Sequence, residues 1–288
     1  ALPEVLTCSL TSVGLSATVD TQGDTYSFDW FTDVNGSLDN NVFTLNPNVS
    51  AASDYSLAVL NDINGCQDTL SITVTEDVDY PVAVSSVDDF LSCETLSLNI
   101  DAQGSTTGPS MAYSWTTSDG SIVSGSNSLL PEIDQAGSYQ LIVENTFNSC
   151  KDTTIAEVTQ NIEAPAVTLL NPEVLTCTVL DVSVDADAGN TPPATYVYAW
   201  SDQQGNFLSD DPNSISTAEP GVFNLNIVDT YNGCTLDLST TVSQDIVDPI
   251  ANAGLADTLN CLVISQQLDG AASSQGALFN YQWTTTDG

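Results

Sequence analysis

Three unrelated residue types in this chain recur with one period. The seven cysteines are Cys8, Cys66, Cys93, Cys150, Cys177, Cys234 and Cys261. Alternate members are separated by about 84 residues, an interval in the range of known structural repeats. The tryptophans Trp30, Trp115, Trp200 and Trp283 keep the same interval, as do Pro81, Pro165 and Pro249. A shared period restricts the chain to a tandem array of one structural unit. The spacing divides it into repeats at 1–79, 80–163 and 164–248, with 249–288 as the first part of a fourth. The last one stops just after Trp283, in mid-repeat, so the polypeptide is expected to continue.

Every repeat follows one template. It opens on Leu-x-Cys, as at Leu6 and Cys8, Leu91 and Cys93, Leu175 and Cys177, and Leu259 and Cys261. The tryptophan follows after a nearly constant gap, with an aromatic two before it: Phe28, Tyr113, Tyr198, Tyr281. Another aromatic (Tyr55, Tyr139, Phe223) stands eleven before the second cysteine. That cysteine closes an Asx-x-x-Asn-(Gly/Ser)-Cys turn beginning at Asn61, Asn145 or Asp229. Segments such as Tyr26-Ser-Phe-Asp-Trp30, Leu70-Ser-Ile-Thr-Val74 and Phe223-Asn-Leu-Asn-Ile227 alternate or are rich in β-formers. Asn, Asp, Gly, Ser and Pro clusters separate them. About seven short strands per repeat predict an all-β, two-sheet sandwich. The tryptophan and the aromatic two before it point to one face, so both are expected in the core.

The charge excludes whole classes of partner. The chain has 38 Asp plus Glu against one basic residue, Lys151, with no histidine, for a net charge of -37. Such a surface repels nucleic acid and anionic lipid. No apolar run approaches the length of a membrane-spanning helix. The inventory also removes most catalytic chemistry, because general acid–base and phosphoryl-transfer sites draw on His, Arg and Lys. The carboxylate pairs Asp88-Asp89 and Asp210-Asp211 do not recur with the repeat and read as solvated loops rather than a glycosidase dyad. No enzyme is expected.

Cysteines in a small sandwich imply disulfides and an oxidising compartment. Pairing within repeats gives Cys8–Cys66, Cys93–Cys150 and Cys177–Cys234 and leaves Cys261 for a partner beyond the chain end. Each such bond closes a loop of about 57 residues, on the order of 4 kcal/mol in chain entropy. This is the expected arrangement, on the premise that both cysteines sit at the same end of one sandwich. Pairing across junctions, Cys66–Cys93, Cys150–Cys177 and Cys234–Cys261, is the open alternative. Without CxxC or histidine there is no zinc signature. The only cofactor with a candidate site is calcium, at the junction oxygens of Asp77 and Asp79, Asn161 and Glu163, and Asp245 and Asp248, since hard cations gather such ligands.

Tyr113-Ser-Trp115 through Gly120, and Gly137-Ser-Tyr139-Gln-Leu-Ile-Val143 through Cys150, resemble the PKD-like and immunoglobulin-like repeats of giant Bacteroidetes surface proteins. Those proteins are adhesins of gliding or filamentous type, exported by the type IX system. The resemblance implies tandem immunoglobulin-like or PKD-like sandwiches set end to end, an extracellular, cell-surface location, and no catalytic residues. It also makes Thr69, Thr153 and Thr258, each preceded by aspartate, candidate O-glycosylation sites. Asn35-Gly-Ser and Asn48-Val-Ser fit the N-glycan sequon of a eukaryotic source. The repeats depart from antibody domains in the distance from first cysteine to tryptophan and in the place of the second cysteine. From PKD repeats they keep only Trp-(four residues)-Gly.

Three functions compete. A stalk or filament-forming segment of an adhesin predicts near-equal repeats, which the lengths show. Its partners would be neighbouring repeats or copies of the same protein. A glycan- or protein-binding module predicts one distinctive loop, for which Asn190 to Thr195 is the candidate. An accessory region of a secreted enzyme has no feature in its favour. Short, proline-bearing junctions have few conformers. The repeats are therefore expected to form a rod on the order of 100 Å long, from strands of about ten residues at ~3.3 Å each.

Overall fold

The computed structural model describes residues 5–18, 25–38, 43–187 and 195–286. Among them there is no helix, and none is therefore long and apolar enough to cross a membrane. The chain forms two compact units. One comprises residues 1–163 together with Asn232–Cys234, the other residues 164–231 and 235–288.

The first unit contains two sandwiches of the same plan. In the first lie β1 (Leu6–Thr7), β2 (Val13–Gly14), β3 (Tyr26–Thr32), β4 (Asn48–Val49), β5 (Ser53–Asn61), β6 (Gln67–Val74) and β7 (Glu76–Asp77). Strands β3, β5 and β6 form an antiparallel sheet in that order, with Trp30 opposite Leu57 and Tyr55 opposite Ile72. The pair β2–β4 puts Val13 against Val49. The period of two then gathers Leu6, Val13, Leu15, Trp30, Val49, Tyr55, Leu57 and Val74 into one buried cluster. Strand β1 runs parallel to β7, with Thr7 beside Asp77, so the start of the repeat lies against its end.

The second sandwich is built from β8 (Leu91–Ser92), β9 (Leu98–Asn99), β10 (Met111–Thr117), β11 (Ile122–Ser124), β12 (Glu132–Ile133), β13 (Gly137–Asn145), β14 (Cys150–Val158) and β15 (Gln160–Asn161). Its sheets are β10-β13-β14 and β11-β12-β9, and β8 pairs in parallel with β15. Its core includes Leu91, Ile100, Trp115, Ile133, Tyr139, Leu141, Val143 and Val158.

The second unit repeats the plan with β16 (Thr168–Leu169), β17 (Leu175–Thr176), β18 (Val182–Asp187), β19 (Tyr196–Asp202), β20 (Phe207–Ser209), β21 (Ser214–Thr217), β22 (Gly221–Asp229), β23 (Thr235–Val242) and β24 (Gln244–Asp245). A four-stranded sheet, β20-β19-β22-β23, accompanies β16-β18-β21, and β17 pairs in parallel with β24. Its core includes Val184, Trp200, Leu225 and Ile227, all fully buried. Among the described residues beyond β24 there is no strand.

The tryptophans behave as expected in three repeats, whereas of the aromatics two before them Tyr198 is buried and Phe28 and Tyr113 are half-buried against the core. Trp30, Trp115 and Trp200 are buried. Each satisfies its indole N–H by donating to a carbonyl: Thr44 at 3.0 Å, Ser128 at 2.9 Å, Asp211 at 2.8 Å. Tyr55 and Tyr139 donate their hydroxyls to the carbonyl four residues upstream, of Ala51 and Gln135. This is the corner that pins the penultimate strand of immunoglobulin-like sandwiches. Trp283 and Tyr281 depart from the expectation. Each is about 55% exposed, and among the described residues beyond β24 no strand covers them.

Tyr198 is out of step with its counterparts. Its hydroxyl is buried and has no hydrogen-bond partner among the described residues. Burial pushes its phenol pKa up, with a smaller contribution from Tyr196. Repeat 1 carries Phe28 at this place, and in repeat 2 Tyr113 donates to the Thr106 carbonyl at 3.1 Å. Removing the unpaired hydroxyl with Tyr198→Phe is expected to raise stability by about 1 kcal/mol. A urea titration that shows a loss of that size would contradict the burial argument.

Candidate functional site

The second-cysteine turn has one shape in the three repeats that contain it. The Asx side chain at its start accepts from the N–H two residues on: Asn61 from Ile63, Asn145 from Phe147, Asp229 from Tyr231. The asparagine two before the cysteine accepts the cysteine N–H through its own Oδ1, at 2.9, 3.0 and 2.9 Å for Asn64, Asn148 and Asn232. The residue between them takes a left-handed φ, +71° at Gly65, +59° at Ser149 and +69° at Gly233. Glycine suits that conformation, and Ser149 adopts it without one. The turn is thus a preformed tip with an asparagine amide and a thiol at its end.

Two of the three tips are plugged into the start of the repeat before them. Cys150 is bonded to Cys8 and Cys234 to Cys93, with Cα–Cα distances of 5.0 Å in both. The asparagine amides fill the same hole. Asn148 Nδ2 donates to Asp77 Oδ1 at 2.8 Å and to the Asp79 carbonyl at 3.1 Å. Asn232 Nδ2 donates to Asn161 Oδ1 at 3.0 Å and to the Glu163 carbonyl at 2.9 Å. Asn148 and Asn232 are 0% and 2% exposed, and their cysteines 0% and 1%. Gly233 packs so closely that a Cβ there would meet Glu94 Cβ at 2.6 Å. Cys93 also receives support, its N–H donating to the Asn232 carbonyl at 3.0 Å.

This pairing corrects both arrangements expected from spacing. Cys8–Cys66, Cys93–Cys150 and Cys177–Cys234 are not formed, nor are the short links between adjacent repeats. Cys8 follows Thr7, which pairs with Asp77 at the end of the repeat. Cys66 immediately precedes β6, whose far end is Val74. An eight-residue strand is about 26 Å long, whereas disulfide Cα atoms lie within about 7 Å. The two cysteines of one repeat therefore sit at opposite ends of its sandwich. Cys66, Cys177 and Cys261 are free and exposed.

The other candidate residues fall as follows. Asp77 and Asn161 each accept the docked amide and the N–H two residues on, of Asp79 and Glu163. Asp245 makes the same turn with the Val247 N–H, and Asp248 is exposed. Among the described residues no group of three or more His, Cys, Asp or Glu is arranged to hold a metal ion. Thr69, Thr153 and Thr258 are exposed, and each donates its N–H to the preceding aspartate at 2.7 to 2.9 Å. Asn35 and Asn48 are exposed. Residues 190–194 of the distinctive loop lie outside the described residues. The docked asparagine was missed from sequence, although its signal is present: Asn64, Asn148 and Asn232 share the period, as do Asp77, Asn161 and Asp245.

Four carboxyls, two exposed (Asp33, Asp211) and two half-buried (Asp152, Asp202), titrate below the ordinary aspartate range because N–H donors hold them ionised. Asn35 N–H does so for Asp33, Ala83 N–H for Asp152, the Asn206 side chain for Asp202, and Asn213 N–H for Asp211. A depressed folded-state pKa adds stability that is complete above the unfolded value and is lost as pH falls through the folded one. With no histidine in the sequence, no side chain of ordinary pKa titrates between about pH 5 and 8. Thermal midpoints are therefore expected to be flat from about pH 5.5 to 7.5 and to fall below about pH 4. A midpoint that drifts steadily across the neutral range would contradict this assignment.

No protein-family model and no curated protein matches the sequence. Solved structures are found at low similarity. Drosophila OTK, extracellular domains 3–5, aligns over 81% of this chain and 91% of its own at 8% identity and a TM-score of 0.32. The three N-terminal domains of the bacteriophage RB49 Highly Immunogenic Outer Capsid protein align over 85% and 96% at 11% identity and a TM-score of 0.30. Drosophila N-cadherin EC1–4 aligns over 80% and 69% at 9% identity and a TM-score of 0.29.

Proposed function

We propose that this chain is a non-catalytic structural segment of an extracellular, cell-surface adhesin, built to transmit force along a stalk or filament. The observation that carries the reading is the repeated plug, in which the tip of one repeat is both hydrogen-bonded and disulfide-bonded to the start of the repeat before it. A bond between successive repeats holds a series together, and an enzyme or a lone receptor module has no use for doing so at two successive junctions. Disulfides of this kind belong to an oxidising compartment. The dense negative charge favours solubility and opposes folding back. The likeness to repeats of type IX-exported adhesins of the Bacteroidetes, gliding or filamentous, is consistent with this reading, as are the exposed Asp-Thr positions at Thr69, Thr153 and Thr258.

Small-angle scattering on the whole chain tests the reading. A compact globule of this length has a radius of gyration of about 19 Å. The stalk reading expects about 30 Å, the value for a rod on the order of 100 Å long. A value near the compact figure would remove the stalk and favour the binding-module alternative.

A further inference from the structure

The two docked tips differ at the residue after the docked asparagine, which is Ser149 in one and Gly233 in the other. Packing imposes the glycine. A Cβ at Gly233 would meet Glu94 Cβ at 2.6 Å and the Glu94 backbone nitrogen at 3.3 Å. This tip is therefore held by an Asn-Gly pair, the weak point of side-chain amides. With no Cβ to block its approach, a glycine nitrogen can attack the side-chain carbonyl carbon of the asparagine before it. Docking suppresses that attack. Asn232 is 2% exposed, its Nδ2 donates to Asn161 Oδ1 and the Glu163 carbonyl, and its Oδ1 accepts the Cys234 N–H. Its own carbonyl accepts the Cys93 N–H at 3.0 Å. The bridge that keeps this tip in place also offers the more accessible cysteine, since Cys93 is exposed whereas Cys8 is half-buried.

We propose that Asn232 is a deamidation site kept silent by docking, and that reduction of Cys93–Cys234 makes release of this tip a one-way event. A small-molecule dithiol attacks Cys93 Sγ and expels the Cys234 thiolate. Its second thiol then frees Cys93, and the reagent leaves as a cyclic disulfide. The two cysteines gain two electrons and two protons. Without the bridge the tip opens locally and its amide meets water. The Gly233 nitrogen then bonds to Asn232 Cγ, the Cγ–Nδ2 bond breaks, and Nδ2 leaves as ammonia with the proton of the Gly233 N–H. Water opens the cyclic imide at either carbonyl, to aspartate or to β-linked isoaspartate. Each product carries a carboxylate in place of the amide donor. Docked, that carboxylate would face two acceptors, Asn161 Oδ1 and the Glu163 carbonyl, beside the carboxylate of Glu94. The converted tip therefore no longer fits its socket. Release of the Asn148 tip stays reversible, because the side chain of Ser149 hinders the same attack. The inference stands whether or not the chain is a stalk.

The test uses the full chain with Cys66→Ser, Cys177→Ser and Cys261→Ser, so that only the two bridges form. It is incubated at mildly alkaline pH in oxidised form and, in parallel, with Cys93→Ser and Cys234→Ser added, which keeps Cys8–Cys150. Peptide mapping reads amide-to-acid conversion at Asn232, with the exposed pair Asn35-Gly36 as a reference in the same molecule. Conversion of Asn232 relative to Asn35 is expected to be at least about tenfold faster without the bridge, the scale of losing the hydrogen bonds of one buried amide. In bridged chains reduced with a dithiol, incubated and reoxidised, Cys8–Cys150 is expected to return. The return of Cys93–Cys234 is expected to fall in proportion to the Asn232 converted. Asn232→Asp should reproduce that deficit without incubation, re-forming Cys93–Cys234 at least about tenfold more slowly. Equal conversion of Asn232 with and without the bridge, or full return of Cys93–Cys234 in chains already converted at Asn232, would each overturn the proposal.

Discussion

Replacing Trp115 by alanine is expected to destabilise the second sandwich by about 3–5 kcal/mol, the range for truncating a large buried aromatic. Trp115 is 3% exposed and packs in a cluster with Leu91, Ile100, Ile133, Tyr139 and Leu141. Its loss leaves a cavity between the sheets and also orphans the Ser128 carbonyl that accepts its indole N–H. Trp115→Phe should recover part of the loss, since the ring is kept and only the hydrogen bond and some volume go. Denaturant unfolding followed by the fluorescence of the remaining tryptophans measures both. A cost under about 1 kcal/mol for the alanine variant would place Trp115 outside the core and sink the sandwich register described here.

Removing the Cys8–Cys150 bridge with paired Cys→Ala changes is expected to cost the first unit about 2–5 kcal/mol. The bond spans 142 residues and joins the start of the first repeat to the second sandwich, beside the docked Asn148 amide. Its loss should therefore lower the midpoint and also let the two sandwiches unfold in separable steps. Guanidinium titrations of the wild-type chain with and without reductant give the same comparison without mutation. Superimposable curves would mean that the bridge adds nothing to stability. Asn148→Asp in the reduced protein isolates the amide, because the acceptor for Cys150 N–H is kept while the donor to Asp77 is lost.

The sandwich was legible because its cues are local. Trp30, Trp115 and Trp200, each with an aromatic two before it, lie on strands whose alternation shows within a few positions. Tyr55 and Tyr139 mark the strand that pairs with them. The disulfides were not legible, for a reason rooted in periodicity. Cys150, the true partner of Cys8, stands exactly where Cys66 stands in its own repeat, one period further along. A sequence that repeats cannot distinguish two partners that differ by one repeat. Counting favoured the wrong choice as well, since pairing within repeats strands one cysteine and the observed pairing leaves three. What decides is the end of the sandwich that each cysteine occupies. That follows from the parallel pairing of Thr7 with Asp77, in a two-residue strand with almost no pattern of its own. Trp283 is exposed, and among the described residues beyond β24 no strand packs over it.

The two bridges overlap along the chain, and the overlap sets how far the molecule can be drawn out. Without them, the backbone from Cys8 to Cys234 unravels to about 800 Å at about 3.5 Å per residue. With both closed, the covalent route crosses from Cys8 to Cys150, runs backwards along the chain to Cys93, and crosses to Cys234. Its taut length is about 200 Å. Tension applied across Cys8 and Cys234 therefore reaches a covalent stop after roughly a quarter of the free contour. The stretch between Cys93 and Cys150 is pulled in the direction opposite to its sequence. Reducing the two bridges restores the full contour.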